Sequence, residues 1–586
     1  MDGALTAAAP PLSFSGRRWV LRDCEPRAAA LIAQAHGLPE PLARLIALRG
    51  IAAAELDRHL SPRLRDWLPD PSVLPGMDAL ALRLAEAVRR GETVAVFGDY
   101  DVDGAASTAL MRRFLAAVGG RAVHAVPDRL RDGYGPNVGA FRALASAGAR
   151  VILCVDCGSA APGPIADIAP RADVLVLDHH RVEAAPAAVV AHVNPTLDPA
   201  GGLDHLCAAG LAFLAAVATN RALRGGGWPR ALDAARLLDL VDLVALAAVA
   251  DVVPLTGLNR AFVAQGLALM AARPRAGIAA LLRVAGVGRP PDAEAIGFAL
   301  APRLNAAGRI GDADLGIRLL LSDDTAEAEA LARRLDALNR ERQRIEAGVL
   351  EAAMAAAERQ AAQGLPAIVV AGEGWHPGVV GIVAGRVKER FARPAFVLGI
   401  AGGIATGSGR SVPGVHLGDA VRAAVASGIA SKAGGHAMAA GVTLPAERLH
   451  ALQEALCAAC EGAVPGPEAL EVDGSVTVEG ATAALARAVG RLGPFGAGNA
   501  EPVFALRGRL AHVAAVGVGG AHLRLALEGE GGGRLNAIAF RAADAALGRG
   551  LVGALGRPVT LAGVLREDHV RGNGSASVQV VDASPA

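Results

Sequence analysis

Carboxylate side chains stand together directly after an apolar stretch of the sequence, where a strand should end. Asp99, Asp101 and Asp103 fall within five residues after the apolar run 93–97. Carboxylates this close repel one another unless a cation or protons compensate their charge. One of them could cap the helix that we predict from Ala105, but capping does not require three. The spacing therefore indicates a metal site.

Further acids and imidazoles follow the next two apolar runs and one apolar helix. A single aspartate at such a place is more often a cap or a turn residue, but the coincidence of all of them favours a metal centre. In a doubly wound sheet the carboxyl ends of the strands line one crevice, where ligands bind. The residues are Asp156, Asp178, His179, His180 and Asp251.

The donor set indicates which ions the site would bind. Carboxylates with one or two imidazoles suit Mn²⁺ or Mg²⁺ better than an ion that prefers thiolates. Two such ions can share a bridging aspartate, activate a water and stabilise a phosphoryl group. The predicted chemistry is hydrolysis of a phosphoester or a phosphoanhydride.

The surrounding sequence alternates between apolar strand runs and Ala/Leu-rich helical runs. This alternation predicts an α/β fold with a doubly wound parallel sheet. The run from Ala326 to Gln363 has apolar residues at helical spacing, which predicts a connecting helix of about ten turns. Short alternating strands with Gly turns after residue 467 predict a small closed β-barrel. The predicted strands are 93–97, 151–155, 174–177, 189–193, 367–370, 395–400, 504–510, 523–527, 535–540, 559–564 and 577–581.

These patterns divide the chain of 586 residues into five regions. The length agrees with several domains of roughly 100–200 residues each. The regions are an N-terminal extension (1–91), a catalytic α/β domain (92–325), a connecting helix (326–363), a smaller α/β domain (364–463) and a barrel domain (464–586).

Composition excludes some classes of protein. The chain has 58 Lys and Arg against 57 Asp and Glu, a net charge of +1, so any site for a polyanion must be local. Its 52% of hydrophobic and 20% of charged residues exclude wholesale disorder. The longest apolar stretch is interrupted by aspartates, and the N-terminus lacks the pattern of a signal peptide. We therefore expect a cytoplasmic protein without a membrane span.

Four of the six cysteines form two Cys-x-x-Cys pairs, Cys154 with Cys157 and Cys457 with Cys460. A structural zinc site is one interpretation. The pairs are far apart in sequence and neither lies in a short Gly-rich knuckle. Buried small side chains are the favoured interpretation.

Taken in order, the acidic and histidine motifs resemble the four motifs of the DHH phosphoesterase superfamily. Further motifs resemble its RecJ family of bacterial single-strand-specific 5′ to 3′ exonucleases, from about Thr93 to Phe504. The Asp-His-His triplet alone is a weak pattern, whereas the ordered set is specific. The further motifs are Pro127-x-Arg129, Asp132-Gly133-Tyr134-Gly135, 302–309 (PRLNAAGR), 375–382 (WHPGVVGI), Ser408-Gly409-Arg410-Ser411, Gly434-Gly435-His436 and 493–499 (GPFGAGN).

The resemblance implies a catalytic set and a set of metal ligands. His180 would face the scissile phosphate as an electrostatic stabiliser, and Asp178 would orient the imidazoles. Asp156 would bridge two ions, either Mn²⁺ or Mg²⁺. Other branches of the superfamily have a histidine where this chain has Phe97, so the resemblance leaves full occupancy of both metal sites open. The implied metal ligands are Asp101, Asp103, Asp156, His179 and Asp251.

The second half of the chain resembles a DHHA1 domain followed by an OB-fold, both of which would bind nucleic acid. Arg129, Ser408 and Arg410 are our predictions for capture of a terminal phosphate, since Arg suits bidentate recognition. For Arg303 and Arg309, a helix cap or a salt bridge is the alternative to a place on the DNA path. The full predicted substrate-binding set is Arg129, Arg303, Asn305, Arg309, His376, Ser408, Arg410, Ser411 and His436.

The implied function is a metal-dependent exonuclease that degrades single-stranded DNA from 5′ to 3′ into mononucleotides, in DNA repair and recombination. The resemblance also implies a monomer, with a single-strand-binding protein and a RecQ-type helicase as partners. One alternative is a phosphodiesterase for short oligonucleotides or cyclic dinucleotides, although such relatives are shorter and lack the barrel. Another is an inactive DNA-binding scaffold, against which the intact metal positions weigh.

Overall fold

The computed structural model describes residues 12–127, 135–272, 274–460, 469–568 and 575–586. The chain divides into two compact units. The terminal unit combines the residues up to Trp67, the segment Pro254–Ala261 and the residues from Gly466 onward. The central unit combines Leu68–Val253 with Phe262–Pro465. Among the described residues, no helix has both the length and the apolar composition that crossing a bilayer requires.

The first described elements are a short strand and a set of short helices in the terminal unit. In the second helix Leu42, Leu45 and Ile46 are fully buried, because residues spaced by three and four positions lie on one helix face. The elements are β1 (Arg18–Leu21), α1 (Pro26–His36), α2 (Glu40–Leu48), α3 (Leu56–Leu60) and α4 (Leu64–Trp67).

The central unit opens with a sheet of five parallel strands, which confirms the predicted doubly wound sheet. Its strand order is β3-β2-β4-β5-β6. The third strand in chain order, β3, was not predicted because its residues are only partly buried and include Arg121 and His124. The strands are β2 (Thr93–Gly98), β3 (Arg121–Ala125), β4 (Ala149–Val155), β5 (Asp173–Leu177) and β6 (Ala191–Val193).

Helices cover both faces of this sheet. Alternate strand residues, among them Phe97 and Ile152, form a core with Phe141 and Ile165 of two covering helices on one face. Their neighbours along each strand are equally buried, as expected for a sheet covered on both faces. The helices up to this point are α5 (Met77–Arg90), α6 (Val102–Ala117), α7 (Val138–Ser146) and α8 (Pro162–Ile168).

A run of helices follows the sheet. One stretch, Ala293–Ile310, is helical throughout but contains a π-helical turn at Ile296–Leu300. The helices are α9 (Ala208–Gly225), α10 (Ala234–Leu238), α11 (Val241–Ala250), α12 (Gly257–Ala272), α13 (Ala276–Val284), α14 (Ala293–Ala295), α15 (Ala301–Ile310) and α16 (Asp314–Leu321).

The predicted connecting helix is confirmed as α17 (Thr325–Ala362), which Asp324 caps by accepting a hydrogen bond from the Glu327 N–H. A mixed sheet with strand order β10-β11-β9-β8-β7 follows it. Strands β9 to β11 were not predicted, because their many glycines have low strand propensity. The elements are β7 (Ile368–Glu373), α18 (Pro377–Phe391), β8 (Ala395–Ala401), β9 (Ile404–Arg410), α19 (Leu417–Ala426), β10 (Lys432–Gly435), β11 (Ala439–Pro445) and α20 (Leu449–Ala459).

The two Cys-x-x-Cys pairs lie in separate cores of the central unit. Cys154 and Cys157 pack in the core of the first sheet. Cys457 and Cys460 pack in the core of the second. Within the described part of the chain they therefore do not form a common four-thiolate site.

The C-terminal part of the terminal unit is a closed barrel of five strands, as predicted. The long strand β14 pairs with β15 along its second half and with β17 along its first half, which closes the sheet on itself. The elements are β12 (Ala469–Val472), β13 (Gly474–Ser475), α21 (Ala483–Gly490), β14 (Phe504–Val516), β15 (His522–Glu528), β16 (Arg534–Ala539), α22 (Ala546–Gly553), β17 (Pro558–Glu567) and β18 (Ala576–Pro585).

The N-terminal segment is bound to this barrel part by polar and apolar contacts. Strand β1 pairs in parallel with β12. The Trp19 Nε1–H donates to Asp582 Oδ2 at 3.0 Å, and Asp582 is 0% exposed. Arg22 forms an ion pair with Asp473 at 2.9 Å. Helices α1 to α3 share one hydrophobic core with the barrel, so residues 12–67 are part of its fold.

We predict that Trp19→Phe weakens the barrel, because it removes a hydrogen bond from a buried carboxylate while keeping an aromatic ring. The free energy of local opening should fall by about 1–3 kcal/mol. Hydrogen exchange of peptides from β17 and β18 measures it. The control Val20→Thr changes an exposed residue of the same strand and should leave exchange unchanged. Equal exchange in the Trp19→Phe and wild-type proteins would contradict the prediction.

Candidate metal centre

The acidic residues meet at the carboxyl edge of the first sheet. Asp99, Asp101 and Asp103 follow β2, and Asp156 directly follows β4. The helix after β2 begins at Val102 and not at Ala105 as predicted. The reason is that Asp101 is its N-cap, with its side chain accepting a hydrogen bond from the Gly104 N–H at 3.0 Å, so Asp103 falls inside the first turn.

His179 lies at the centre of the cluster. Its Nε2 is 3.2 Å from Asp156 Oδ1, 3.6 Å from Asp103 Oδ2 and 3.8 Å from Asp251 Oδ2. Asp251 reaches the cluster from the C-terminal end of α11. Three groups have potential ligand atoms within 4.8 Å of one another, and Asp156 and His179 each belong to two of them. The groups are Asp156 with His179 and His180, Asp103 with His179 and Asp251, and Asp99 with Asp101 and Asp156.

The N-terminus of a second helix holds the Asp103 carboxylate in place. Its two oxygens accept hydrogen bonds from the Ala208 N–H at 2.7 Å and the Ala209 N–H at 2.9 Å. These are the first residues of α9, where the backbone N–H groups lack partners within the helix. The sequence contains no motif that indicates this contact, because only backbone atoms of Ala208 and Ala209 take part.

Asp178 orients His180. Its Oδ1 accepts hydrogen bonds from His180 Nδ1 at 2.8 Å and from the backbone N–H groups of His179 and His180. Burial opposes ionisation of Asp178, but its bonds with His180 and with the Ser159 N–H hold its pKa well below the usual range. Burial also opposes protonation of His180, but Asp178, with the charges of Asp99 and Asp251, raises its pKa to about 9. Without a bound cation, these contacts favour the protonated form of the His180 imidazole.

A hydrogen-bonded chain behind this pair was not predicted. Ser159 Oγ lies 2.8 Å from His192 Nε2, and Asn194 Nδ2 donates to both Ser159 Oγ and the His180 carbonyl. Asn194 follows β6 directly, so the position of its side chain depends on that strand. No sequence signal separates these polar residues from ordinary turn residues.

The electrostatics of the cluster favour a bound cation. Burial and the neighbouring carboxylates raise the pKa of Asp156 well above its usual range. Burial also raises the pKa of Asp103, and burial with the charges of Asp103 and Asp101 raises that of Asp251 to about 8. Four carboxylates and an imidazole at this spacing fit Mn²⁺ or Mg²⁺, whose charge would compensate the repulsion.

Two residues at the centre have strained backbones. Asp156 has φ 61° and Val252, next to Asp251, has φ 59°. The left-handed region is unfavourable for residues other than glycine, above all for β-branched ones. Such strain costs about 1–3 kcal/mol and concentrates at functional sites. In this site the strained residues are Asp156, a potential metal ligand, and Val252, the neighbour of the potential ligand Asp251.

Close backbone contacts join the second α/β part to this loop. A Cβ on Gly308 would lie 2.4 Å from the Tyr100 carbonyl oxygen, so a glycine is required where α15 approaches the loop. Arg309, the next residue, donates from Nη1 to the Gly378 carbonyl at 3.1 Å. Gly378 lies in the first turn of α18, whose N-cap is His376. The N-terminus of α18 is thereby held beside the end of α15.

Ser408 and Arg410 lie against the same helix. A Cβ placed on Gly381 of α18 would be 3.4 Å from both Arg410 Nη2 and the Ser408 Cβ. Arg410 donates from Nη1 to the Gly409 carbonyl, and burial lowers its pKa. Within the described residues, no carboxylate forms an ion pair with Arg410. A half-buried guanidinium over the second turn of this helix is suited to binding an anion.

Several predicted site residues have other surroundings. Arg303 forms a salt bridge with the buried Asp336 at 2.9 Å, the alternative that the sequence left open. The Ser411 hydroxyl is buried and donates to the Val415 carbonyl. His436 is exposed, and Arg129 lies outside the described residues. Phe97 is fully buried in the core of the first sheet.

Family models match three parts of the chain. The DHH family, N-terminal domain, matches residues 93–247. The DHHA1 domain matches residues 364–462. The RecJ OB domain matches residues 472–582.

The chain is similar to known proteins over most of its length. It is 38% identical to the single-stranded-DNA-specific exonuclease RecJ of Dickeya dadantii, over 86% of this chain and 89% of that protein. It is 37% identical to the protein of the same name from Escherichia coli, over 94% and 96% of the two chains. The crystal structure of RecJ in complex with Mn²⁺ from Thermus thermophilus superposes with a TM-score of 0.81 at 31% identity, covering 97% of this chain and 80% of that one.

We predict that Asp156→Asn stabilises the metal-free protein and abolishes its response to Mn²⁺. The substitution removes one charge from a repelling group, and Asn tolerates positive φ. In chelator at pH 8 the free energy of unfolding of the central unit should rise by about 1 kcal/mol, roughly 2–4 °C in Tm. Thermal unfolding with and without Mn²⁺ measures both effects.

The control for this experiment is Asp419→Asn, a change at an exposed residue, which should keep the wild-type response to Mn²⁺. An Asp156→Asn protein that is still stabilised by Mn²⁺ as strongly as the wild type would refute the assignment of Asp156.

Proposed function

The chain belongs to the RecJ family of single-stranded-DNA-specific exonucleases, and on that premise we propose that it degrades single-stranded DNA from 5′ to 3′ into mononucleotides. The observation that carries the proposal is the cluster of Asp101, Asp103, Asp156, His179 and Asp251 at one sheet edge, in a chain similar to these nucleases along most of its length. DNA repair and recombination are the processes in which such an activity is used.

The proposed cofactors are two ions of Mn²⁺ or Mg²⁺. Asp101, Asp103, His179 and Asp251 would hold them, with Asp156 shared between the two. Asp156 and His179 each belong to two groups of potential ligands, which supports a shared position for one of them. The ions supply Lewis acidity, which activates water and neutralises charge on a phosphoryl group.

His180 is the proposed electrostatic stabiliser of the phosphate. Its imidazole is partly exposed and faces the cluster, with Nδ1 3.9 Å from Asp156 Oδ1. Asp178 holds one ring nitrogen, so the ring orientation is fixed before substrate arrives and the protonated state is favoured. A fixed positive charge costs no reorganisation when negative charge develops on the phosphoryl oxygens.

A 5′-phosphate site is proposed at the N-terminus of α18. Ser408 and Arg410 lie over the second turn of that helix, and His376 is its N-cap. Helix N-termini and arginine both favour a phosphate. Arg129 stays a prediction for this site, and His436 stays a prediction for substrate binding. Ser411 is left out because its hydroxyl already donates to a backbone carbonyl.

Asn305 and Arg309 are proposed to contact the DNA strand on its way to the metal ions. Both side chains are partly exposed on α15, which ends against the loop that contains Asp99 and Asp101. Arg303 is left out because it is paired with Asp336. The barrel is proposed as a second binding site for single-stranded DNA, as expected of an OB-fold.

The division into regions 1–91, 92–325, 326–363, 364–463 and 464–586 stays a proposal. Within the first region, residues 12–67 belong to the same unit as the barrel, whereas residues 68–91 belong to the central unit. A single-strand-binding protein and a RecQ-type helicase as partners, a monomeric state and a cytoplasmic location also stay predictions.

The function is tested with a single-stranded oligonucleotide labelled at its 3′ end and incubated with Mn²⁺. We expect progressive shortening from the 5′ end, and no cleavage by Asp156→Asn. A duplex of the same sequence should resist. Binding without cleavage by the wild-type protein would indicate a scaffold, and cleavage of very short oligonucleotides alone would indicate a small-substrate phosphodiesterase.

Arg410→Gln should remove selectivity for a 5′-phosphate. The wild-type protein should have a higher kcat/KM on a 5′-phosphorylated strand than on its 5′-hydroxyl counterpart, by about tenfold or more, which is the contribution of one charge-assisted contact. The variant should lose activity on the phosphorylated strand only. The control is Arg422→Gln, at an exposed residue of α19. Equal losses on both strands would contradict a phosphate contact.

A further inference from the structure

Phe298 is an exposed aromatic residue on the helix that leads to the metal centre. It is 83% exposed, whereas Ile296 and Leu300 on either side are fully buried. A single exposed apolar side chain needs no explanation by itself. Two further observations about this helix indicate that Phe298 has a function.

The first observation is that Phe298 lies in the middle of the π-helical turn Ile296–Leu300. In this turn the Ala301 N–H donates to the Ile296 carbonyl, five residues back. Pro302 has no N–H, so the Phe298 carbonyl would lose its donor in a regular α-helix. Such turns are rare, and they occur frequently at functional sites.

The second observation is the helix face on which Phe298 lies. Positions i, i+4, i+7 and i+11 share one face of a helix, and here they are Phe298, Pro302, Asn305 and Arg309. All four are exposed or partly exposed. Arg303, one position after Pro302, instead points to α17 and its partner Asp336. The face thus joins the aromatic ring to the two polar residues proposed to contact DNA.

The helix that carries this face ends beside the metal centre. Gly308 packs on the Tyr100 carbonyl, next to Asp99 and Asp101. Ten residues of helix separate Phe298 from Gly308, which is about 15 Å at 1.5 Å per residue. An extended strand that follows the helix from the metal ions would therefore reach the ring.

We propose that Phe298 is a stacking platform for one base of the single-stranded DNA substrate, at a distance from the reacting phosphate. A groove of about 460 Å³ lies beside the ring and is lined by small residues that include Gly286, Gly288 and Ala299. It offers room for a flat ligand against the ring. Because every base has a π-face, stacking would bind the strand without regard to its sequence. The proposal rests on the proposed exonuclease function and adds a contact to it.

The charged residues around the groove do not attract the phosphate backbone. Arg289 pairs with Asp292 and lies 3.9 Å from Glu294, so these three residues together carry a net negative charge. Any contact of a DNA strand at this place must therefore be made through a base, and the ring is the main feature that a base could contact. The alternative occupant, an apolar side chain of a protein partner, is an outcome of the test below.

The test measures binding of 5′-phosphorylated oligonucleotides by fluorescence anisotropy in chelator, where the strand is not cut. Phe298→Ala should weaken binding by about 5- to 100-fold, the range found for single stacked bases. Phe298→Trp should retain affinity, and Phe298→Leu, which is apolar but has no π-face, should resemble Phe298→Ala. The control Leu82→Ala, at an exposed residue of α5, should bind like the wild type.

A series of strands with one abasic position each locates the contact. In the wild type, removing the base at one position should weaken binding by the same factor as Phe298→Ala. In the Phe298→Ala variant, removing the base at that position should have no further effect. Equal affinities of Phe298→Ala and the wild type, or identical abasic profiles, would overturn the proposal and favour a protein partner. A wild-type protein that fails to shorten the intact strand in Mn²⁺ would instead overturn the proposed function.

Discussion

The mutual repulsion of buried carboxylates at one sheet edge is the constraint on which the rest of the structure depends. Asp103 and Asp156 are almost fully buried, and each would be unfavourable alone. Their positions are fixed by α9 for Asp103 and by the end of β4 for Asp156. The fold therefore maintains a site whose charge is balanced only when cations occupy it. The metal-free protein is less stable as a result, but the site is already formed when the cations bind.

The elements that could be predicted from the sequence are those with a regular pattern of apolar residues. Apolar runs gave the strands that end at Asp99, Asp156 and Asp178, and the helical spacing of residues 326–363 gave the connecting helix. These features depend on local periodicity, which any single chain carries. The same holds for the barrel, whose strands alternate and turn at glycines.

Contacts made by backbone atoms or between distant segments could not be predicted. Nothing in the sequence distinguishes Ala208 from its neighbours, yet its N–H binds Asp103. Arg303 belongs to a motif shared with a nuclease family, but the partner Asp336 that determines its geometry lies in another helix. The role of the N-terminal segment was missed for the same reason, because its core partners are hundreds of residues away.

That separation affects how the chain folds during synthesis. Helices α1 to α3 leave the ribosome before the barrel strands that bury Leu42, Leu45 and Ile46. The apolar faces of these helices stay exposed while the whole central unit is synthesised. Contacts between segments so far apart in sequence form slowly. Loss of β18 should therefore unfold the barrel and helices α1 to α3 together.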